Sequence, residues 1–204
     1  MTPSSRILTL VSLVSVASAS QAITFSNIQI TSAPLSNGSG FSTNANSISF
    51  TTPNAIVGDP VDPLRGGLLT ISYDADNFGV NIVASQVGVN LGAAIAGSGM
   101  IHFSETVYEI DGGGNIIGTP LGTVNHMFDQ NNSSSFNATI NLSRGVTRLR
   151  AVKMFEMSAP DTQALDLAGV AIVNQNLQVV PEPATLAALG LGAAALIRRR
   201  RKTA

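Results

Sequence analysis

From Phe136 to Leu142 apolar and polar residues alternate without a fault: Phe136, Ala138, Ile140 and Leu142 are separated by Asn137, Thr139 and Asn141. A repeat of two residues is the period of a β-strand, and a strand of this pattern buries one face and wets the other. The same alternation recurs along the chain. Ile48 and Phe50 alternate with Ser47, Ser49 and Thr51, and Leu69, Ile71 and Tyr73 with Thr70 and Ser72; Ile101, Phe103 and Val107 mark a longer strand that ends near Ile110. About ten short strands with turn residues between them, and no strong helical period, predict an all-β domain folded as an antiparallel β-sandwich or jelly roll.

The breaks between strands are also readable. The apolar positions change phase between Phe25 and Ile28, which predicts a bulge or a bend at Ser26-Asn27. Ser36 to Gly40 reads as a loop, and the three prolines between Pro53 and Pro63 make that stretch a loop as well. Asp74 to Gly79 reads as a turn, and Val80 to Leu91 as two short alternating stretches. Asp111-Gly112-Gly113-Gly114-Asn115 is a hairpin signal rather than a phosphate loop, because neither a helix nor a lysine follows. Val146 to Met157 predicts a strand with a basic face, Asp161 to Leu167 one helical turn, and Gly169 to Val173 and Leu177 to Val180 the close of the domain.

A chain of 204 residues accommodates one domain plus targeting segments. It contains no cysteine, which excludes disulfides, thiol nucleophiles and cysteine-based zinc sites. Between Ile23 and Val180 five basic residues stand against eleven acidic ones, a net charge of −6. Phosphate backbones require a basic surface, so nucleic acid is not an expected partner.

The two ends differ from the body. Residues 1–22 have the order of a secretory signal peptide: Arg6, the apolar run Ile7 to Val16, then small residues up to Ala22, after which cleavage by signal peptidase is expected. Residues 180–204 begin Val180-Pro181-Glu182-Pro183, continue with an apolar run from Ala184 to Ile197, and close on Arg198, Arg199, Arg200, Arg201 and Lys202. As a helix, fourteen residues reach about 21 Å, short of a hydrocarbon core of about 30 Å. Such a segment suits transient rather than permanent anchoring in the inner membrane, with the basic stop held on the cytoplasmic side.

The literal Pro181-Glu182-Pro183, the glycine-containing apolar run and the terminal arginines together resemble a PEP-CTERM sorting signal, the tripartite C-terminal tag of exosortase substrates in bacteria. The resemblance is confined to these residues. It implies export, temporary membrane retention through 184–197, processing by exosortase near Pro181, Glu182 and Pro183, and arrival at the cell surface or in an extracellular matrix of exopolysaccharide. The body, 23–179, is then the mature β-domain.

Candidate chemistry in that body is sparse. His102 lies three residues before Glu105 and His126 three before Asp129, a spacing that puts each pair on opposite strand faces. His126 shares parity with Val124 and Phe128, as expected of a half-buried core residue. Glu105 is an acid in the apolar row Ile101, Phe103, Val107, which makes it either a site or a residue past the sheet edge. Glu105 and Glu109 share a face but stand roughly 13 Å apart along a strand, too far for the paired carboxylates of a glycosidase. Asp74, Asp76 and Asn77, with Asp59 and Asp62 nearby in sequence, offer oxygen ligands that suit Ca²⁺ or simply turn-forming side chains. No cofactor is expected, and calcium is the one the residues would admit. Arg144, Arg148, Arg150 and Lys153 form a basic cluster, either a solvated face or a contact for an anionic polysaccharide. With no catalytic set, the expectation is a non-enzymatic exported protein associated with exopolysaccharide. The alternatives are a carbohydrate-binding jelly-roll module, disfavoured by the absence of tryptophan, and a secreted hydrolase using Glu105.

Overall fold

A computed structural model describes residues 22–58, 64–91, 95–132, 135–162 and 165–180. The expected signal peptide and the C-terminal hydrophobic helix, sorting motif and basic stop fall outside these residues, as do Asp59 and Asp62. Thirteen strands run through the described residues: β1 (Thr24–Thr31), β2 (Gly40–Asn44), β3 (Ser47–Thr51), β4 (Ile56–Gly58), β5 (Gly66–Asp76), β6 (Asn81–Asn90), β7 (Ile95–Ala96), β8 (Met100–Ile110), β9 (Ile116–Phe128), β10 (Ser135–Val146), β11 (Arg148–Ser158), β12 (Leu167–Gly169) and β13 (Ile172–Val180).

They form two five-stranded antiparallel sheets, ordered β1-β5-β11-β8-β9 and β10-β6-β13-β3-β2, with a small sheet β4-β12-β7. We call the large ones sheet A and sheet B. The chain crosses between them repeatedly, so that neighbours within a sheet are often distant in sequence, as in a jelly roll. The core is the slab between the inner faces. Sheet A contributes Leu69, Ile71, Tyr73, Phe103, Leu149 and Phe155, and sheet B contributes Ile48, Phe50, Ile82, Val87, Val173 and Leu177, all buried. Phe103 and Phe155 pack with ring centroids 4.9 Å apart, and Phe50 meets Tyr73 across the sheets at 6.0 Å. Each such ring contributes about 1.5–3 kcal/mol through burial. At the margin of the slab β9 comes close to β10: a Cβ at Gly122 would lie 2.4 Å from Ile140 Cγ2.

The alternation from Phe136 to Leu142 lies on β10, and the bulge falls where the phase change places it, with the β1–β5 register slipping between Ser26 and Gln29. Asp111 to Asn115 is the β8–β9 hairpin, with Gly114 at φ 80° and the Asp111 carboxylate accepting the backbone N–H groups of Gly113 and Asn115. Local hydrogen bonds hold that carboxyl below its usual range, those from Asn115 contributing most.

Elsewhere the structure differs from the sequence reading. Asp74 and Asp76 belong to β5 rather than to a turn, because β1 and β11 pair with the strand on both edges as far as Asp76. Residues 81–90 form one continuous strand. Asp161 to Leu167 holds no helical turn among its described residues. The buried Asp166 carboxylate accepts Asp161 N–H at 2.6 Å and Ser98 Oγ at 2.9 Å, and Leu167 opens an extended segment paired with β4 and β7.

Candidate functional site

The outer face of sheet B is the candidate site. Antiparallel pairing sets its outward side chains in rows that cross the strands. One row runs Asn137 (β10), Gly88 (β6), Asn174 (β13), Ser49 (β3), Ser42 (β2). The next runs Thr139, Gln86, Asn176, Ser47, Asn44 over the same strands. Neither row holds a charged residue. Their partners in sequence, Val87, Val89, Val173 and Leu177, point inward and fix the sheet in place. The rows therefore follow from the same alternation that builds the core.

Between them lies an open groove of about 600 Å³. Gly88 supplies its floor: a Cβ there would sit 2.8 Å from Asn137 Oδ1 and 3.9 Å from Asn174 Cβ, so a side chain would fill the trough. The wall groups partly hold one another. Ser49 Oγ donates to Asn174 Oδ1, and Asn176 Nδ2 donates to Gln86 Oε1 at 3.3 Å. Each amide has both a donor and an acceptor, and each hydroxyl can serve as either. Such a surface can exchange hydrogen bonds with a neutral polyhydroxylated chain without net charge on either side.

The outer face of sheet A is different. Arg150 grips Asp74 in a forked pair, Nε to Oδ1 at 2.6 Å and Nη2 to Oδ2 at 2.8 Å, and Asn27 Nδ2 adds a third bond to Asp74 Oδ2 at 2.6 Å. Its Asp74 bonds raise the Arg150 pKa further. Arg148 Nε lies 2.6 Å from Asp76 Oδ2, and Arg144 pairs with Glu109. Asp74 and Asp76 of the supposed calcium ligands and Arg150 and Arg148 of the supposed basic cluster are thus each other's counterions. The described residues contain no group of three or more His, Asp or Glu arranged to hold a metal ion. A small cleft of about 260 Å³ lies beside these pairs, lined by Asp74, Asp76, Arg148 and the Asp111–Gly114 turn.

His102 and Glu156 are cross-strand partners on the same outer face, 3.7 Å apart and largely exposed. His126 points inward, stacked on Phe136 at 4.1 Å between centroids and edge-on to Phe128 at 4.5 Å. Its Nε2 is buried without a partner among the described residues, and burial pushes the imidazole pKa down. It is the half-buried core residue its parity indicates.

Glu105 lies neither at a sheet edge nor in a cleft. It is fully buried, directly opposite Lys153 in the β8–β11 ladder, with Oε2 2.8 Å from Lys153 Nζ. Lys153 is equally buried, and its Nζ also donates to Gln175 Oε1, whose amide Nε2 donates to Ser85 Oγ. Lys153 therefore does not belong to the arginine cluster; it has the inward parity of Leu149, Ala151, Phe155 and Met157. Burial pushes its amine pKa down, opposed by the Glu105 charge. Lys153 Nζ stands 5.5 Å from the Tyr73 ring centroid. Burial and then Glu105 raise the phenol well above its usual value. Ser85 opposes this, although the Tyr73 hydroxyl finds no partner of hydrogen-bond geometry among the described residues.

Comparison with known proteins separates the tag from the body. Residues 179–202 match the PEP-CTERM protein-sorting motif, so the chain carries the C-terminal tag of exosortase substrates. That tag implies export, processing by exosortase and transient residence at the membrane on the way to the cell surface. No curated protein matches the chain. Among solved structures it is similar to a family 61 carbohydrate-binding module in complex with β-1,4-galactotriose, at 13% identity over 78% of this chain and 87% of that one, TM-score 0.32. It is also similar to a family 28 carbohydrate-binding module specific for non-crystalline cellulose, at 13% identity over 79% and 89%, TM-score 0.31. The enzymatically active domain of a bacteriophage CBA120 tailspike protein is similar at 12% identity over 78% and 19%, TM-score 0.29. Likenesses this distant carry no argument about function.

Proposed function

We propose that the protein is a non-enzymatic component of the cell surface or extracellular matrix, whose β-domain contacts neutral stretches of exopolysaccharide through the outer face of sheet B. The observation that carries this reading is the pair of uncharged rows, Asn137-Gly88-Asn174-Ser49 and Thr139-Gln86-Asn176-Ser47, around an open groove. Side chains repeat about 4.8 Å apart across the strands and about 6.6 Å apart along them, two residue steps of about 3.3 Å, a lattice of donors and acceptors suited to an extended chain. The groove lining holds no carboxylate, histidine or lysine to act as acid or base, which supports a binding rather than a catalytic role. The hydrolase alternative through Glu105 loses its residue, because a fully buried carboxylate paired with Lys153 cannot reach a substrate.

The test is affinity electrophoresis of the protein in gels containing the host's exopolysaccharide, with soluble neutral glucans and galactans in parallel. Retardation that is lost in the Asn174→Ala/Asn176→Ala variant is the expected result. No retardation by any polysaccharide, or equal retardation of the variant, would overturn the reading. Fractionating cells with and without exosortase tests the sorting step independently: the protein is expected to remain in the membrane fraction when the enzyme is missing.

A further inference from the structure

The interior holds a reactive set that the proposed surface role does not use. Lys153 on β11, Glu105 on β8 and Gln175 on β13 meet in the middle of the sandwich, all buried. The amine and the amide come from opposite sheets and touch, Nζ against Oε1. Glu105 Oε2 is 2.8 Å from the same Nζ, an ion-pair distance without hydrogen-bond geometry, and its Oε1 meets no hydrogen-bond donor among the described residues. Ser85 fixes the far end of the amide by accepting from Nε2. As a purely structural network this is poor. A buried ion pair repays its desolvation only when its remaining lone pairs are satisfied, and here both Glu105 Oε1 and the Tyr73 hydroxyl lack partners.

We propose that Lys153 and Gln175 join covalently, by an amide bond from Lys153 Nζ to Gln175 Cδ that forms with loss of ammonia, with Glu105 carrying the proton. The proton of the Lys153 ammonium first passes to the Glu105 carboxylate, leaving a neutral amine and a neutral acid. The neutral amine is the form that can attack, and burial lowers the Lys153 amine toward it. The lone pair of Nζ adds to Cδ, and the carbonyl π pair moves onto Oε1. Glu105 gives its proton to Nε2 and takes one from Nζ. The pair on Oε1 then returns, the Cδ–Nε2 bond breaks, and Nε2 leaves as ammonia. Glu105 ends as the acid it was at the moment of attack, and no oxidant or other reactant is needed.

Aminolysis of an amide is slow in water. Here the nucleophile, the electrophile and the proton carrier are held together by three strands of the fold, and such positioning replaces a bimolecular encounter. Ser85 is a positioning residue: it touches the leaving nitrogen and turns the amide toward Nζ. The bond would staple sheet A to sheet B across a sequence separation of 22 residues, in a chain that has no cysteine to make any other covalent staple. This inference is independent of the polysaccharide reading.

The experiment is trypsin digestion and mass spectrometry of the full-length chain, denatured after purification in the folded state. Trypsin cuts after Arg150 and, if its amine is free, after Lys153; the next basic residue is Arg198. The expected product is one peptide beginning at Ala151 that runs uncut through Lys153, contains Gln175 and is lighter by one ammonia. In Glu105→Gln the same region should be cut after Lys153 and show no mass loss. Complete cutting after Lys153 in the folded wild type, with both products at their unmodified mass, would overturn the proposal. So would an ammonia loss that leaves Lys153 cleavable. The wild-type digest decides the matter even if Glu105→Gln fails to fold.

Discussion

The two large sheets turn opposite chemistry to the outside. Sheet A carries Asp74, Asp76, Arg148, Arg150, His102 and Glu156 on its outer face, and these charges are set against one another across adjacent strands. Sheet B carries amides and hydroxyls in crossing rows with no charge among them. Having many polar groups on a face does not by itself make it available. On sheet A the strongest donors and acceptors already satisfy each other; on sheet B neutral groups are only partly engaged and stand open around a groove. A face that is closed upon itself stabilises the fold, and a face left open can meet a partner.

The sharpest break of this contrast is to leave a charge without its counterpart. Lys153→Met removes both the proposed staple and the partner of Glu105, and is expected to cost at least about 3–5 kcal/mol in a denaturant titration. The double variant Glu105→Leu/Lys153→Met should be more stable than Lys153→Met alone, and a double variant that is no better would deny the pair its role. On the outer face of sheet A, Asp74→Ala removes a forked pair and strands Arg150 and Asn27, for an expected loss of about 1.5–3 kcal/mol with polysaccharide binding unchanged.

On sheet B the ranking reverses. Asn174→Ala/Asn176→Ala should change the melting temperature little but weaken polysaccharide binding at least about tenfold, the worth of one or two net hydrogen bonds. That binding should also hold from low salt to about 0.5 M, because no charge takes part; a steep salt dependence would move the contact to sheet A. Arg144→Ala breaks a pair between an exposed arginine and a half-buried Glu109 and should alter stability by about 1 kcal/mol or less.

The smallest effect concerns His126. Its folded pKa is depressed by burial, so the unfolded chain binds its proton first as pH falls. His126 therefore contributes stability above the unfolded histidine pKa of about 6.5, and loses it as the pH drops below that value. His126→Phe should flatten the fall in melting temperature between about pH 7 and pH 5; an unchanged slope would place the ring in water.

Much of the scaffold could be read from parity alone. The β10 alternation, the bulge at Ser26-Asn27 and the Asp111–Asn115 hairpin are local, and local steric rules decide them. Edge elements were less legible. Strand β2, Gly-Phe-Ser-Thr-Asn, has a single large apolar residue and is held by pairing with β3 rather than by its own pattern. Asp161 to Leu167 looks helical by composition, but the Asp166 carboxylate and pairing along both edges of β12 prevail. Lys153 stands near three arginines in sequence, and that proximity hides its inward parity. The signal was present: Glu105 and Lys153 are single opposite charges on two apolar rows. The amide rows lay beyond reach, because residues such as Gln86 and Asn176 meet only through a register set 90 positions apart.

Strand β13 leads straight into the sorting motif, which begins at residue 179, and it is the middle strand of sheet B with β6 on one side and β3 on the other. While the C-terminal segment still tethers the protein, any drag on the domain is transmitted along that strand. A load along a central strand pulls on both flanking ladders in shear, so many hydrogen bonds must yield together. Had the tag grown from an edge strand pulled sideways, they could have opened one at a time, like a zip. The domain is thus hung from a thread gripped on both sides.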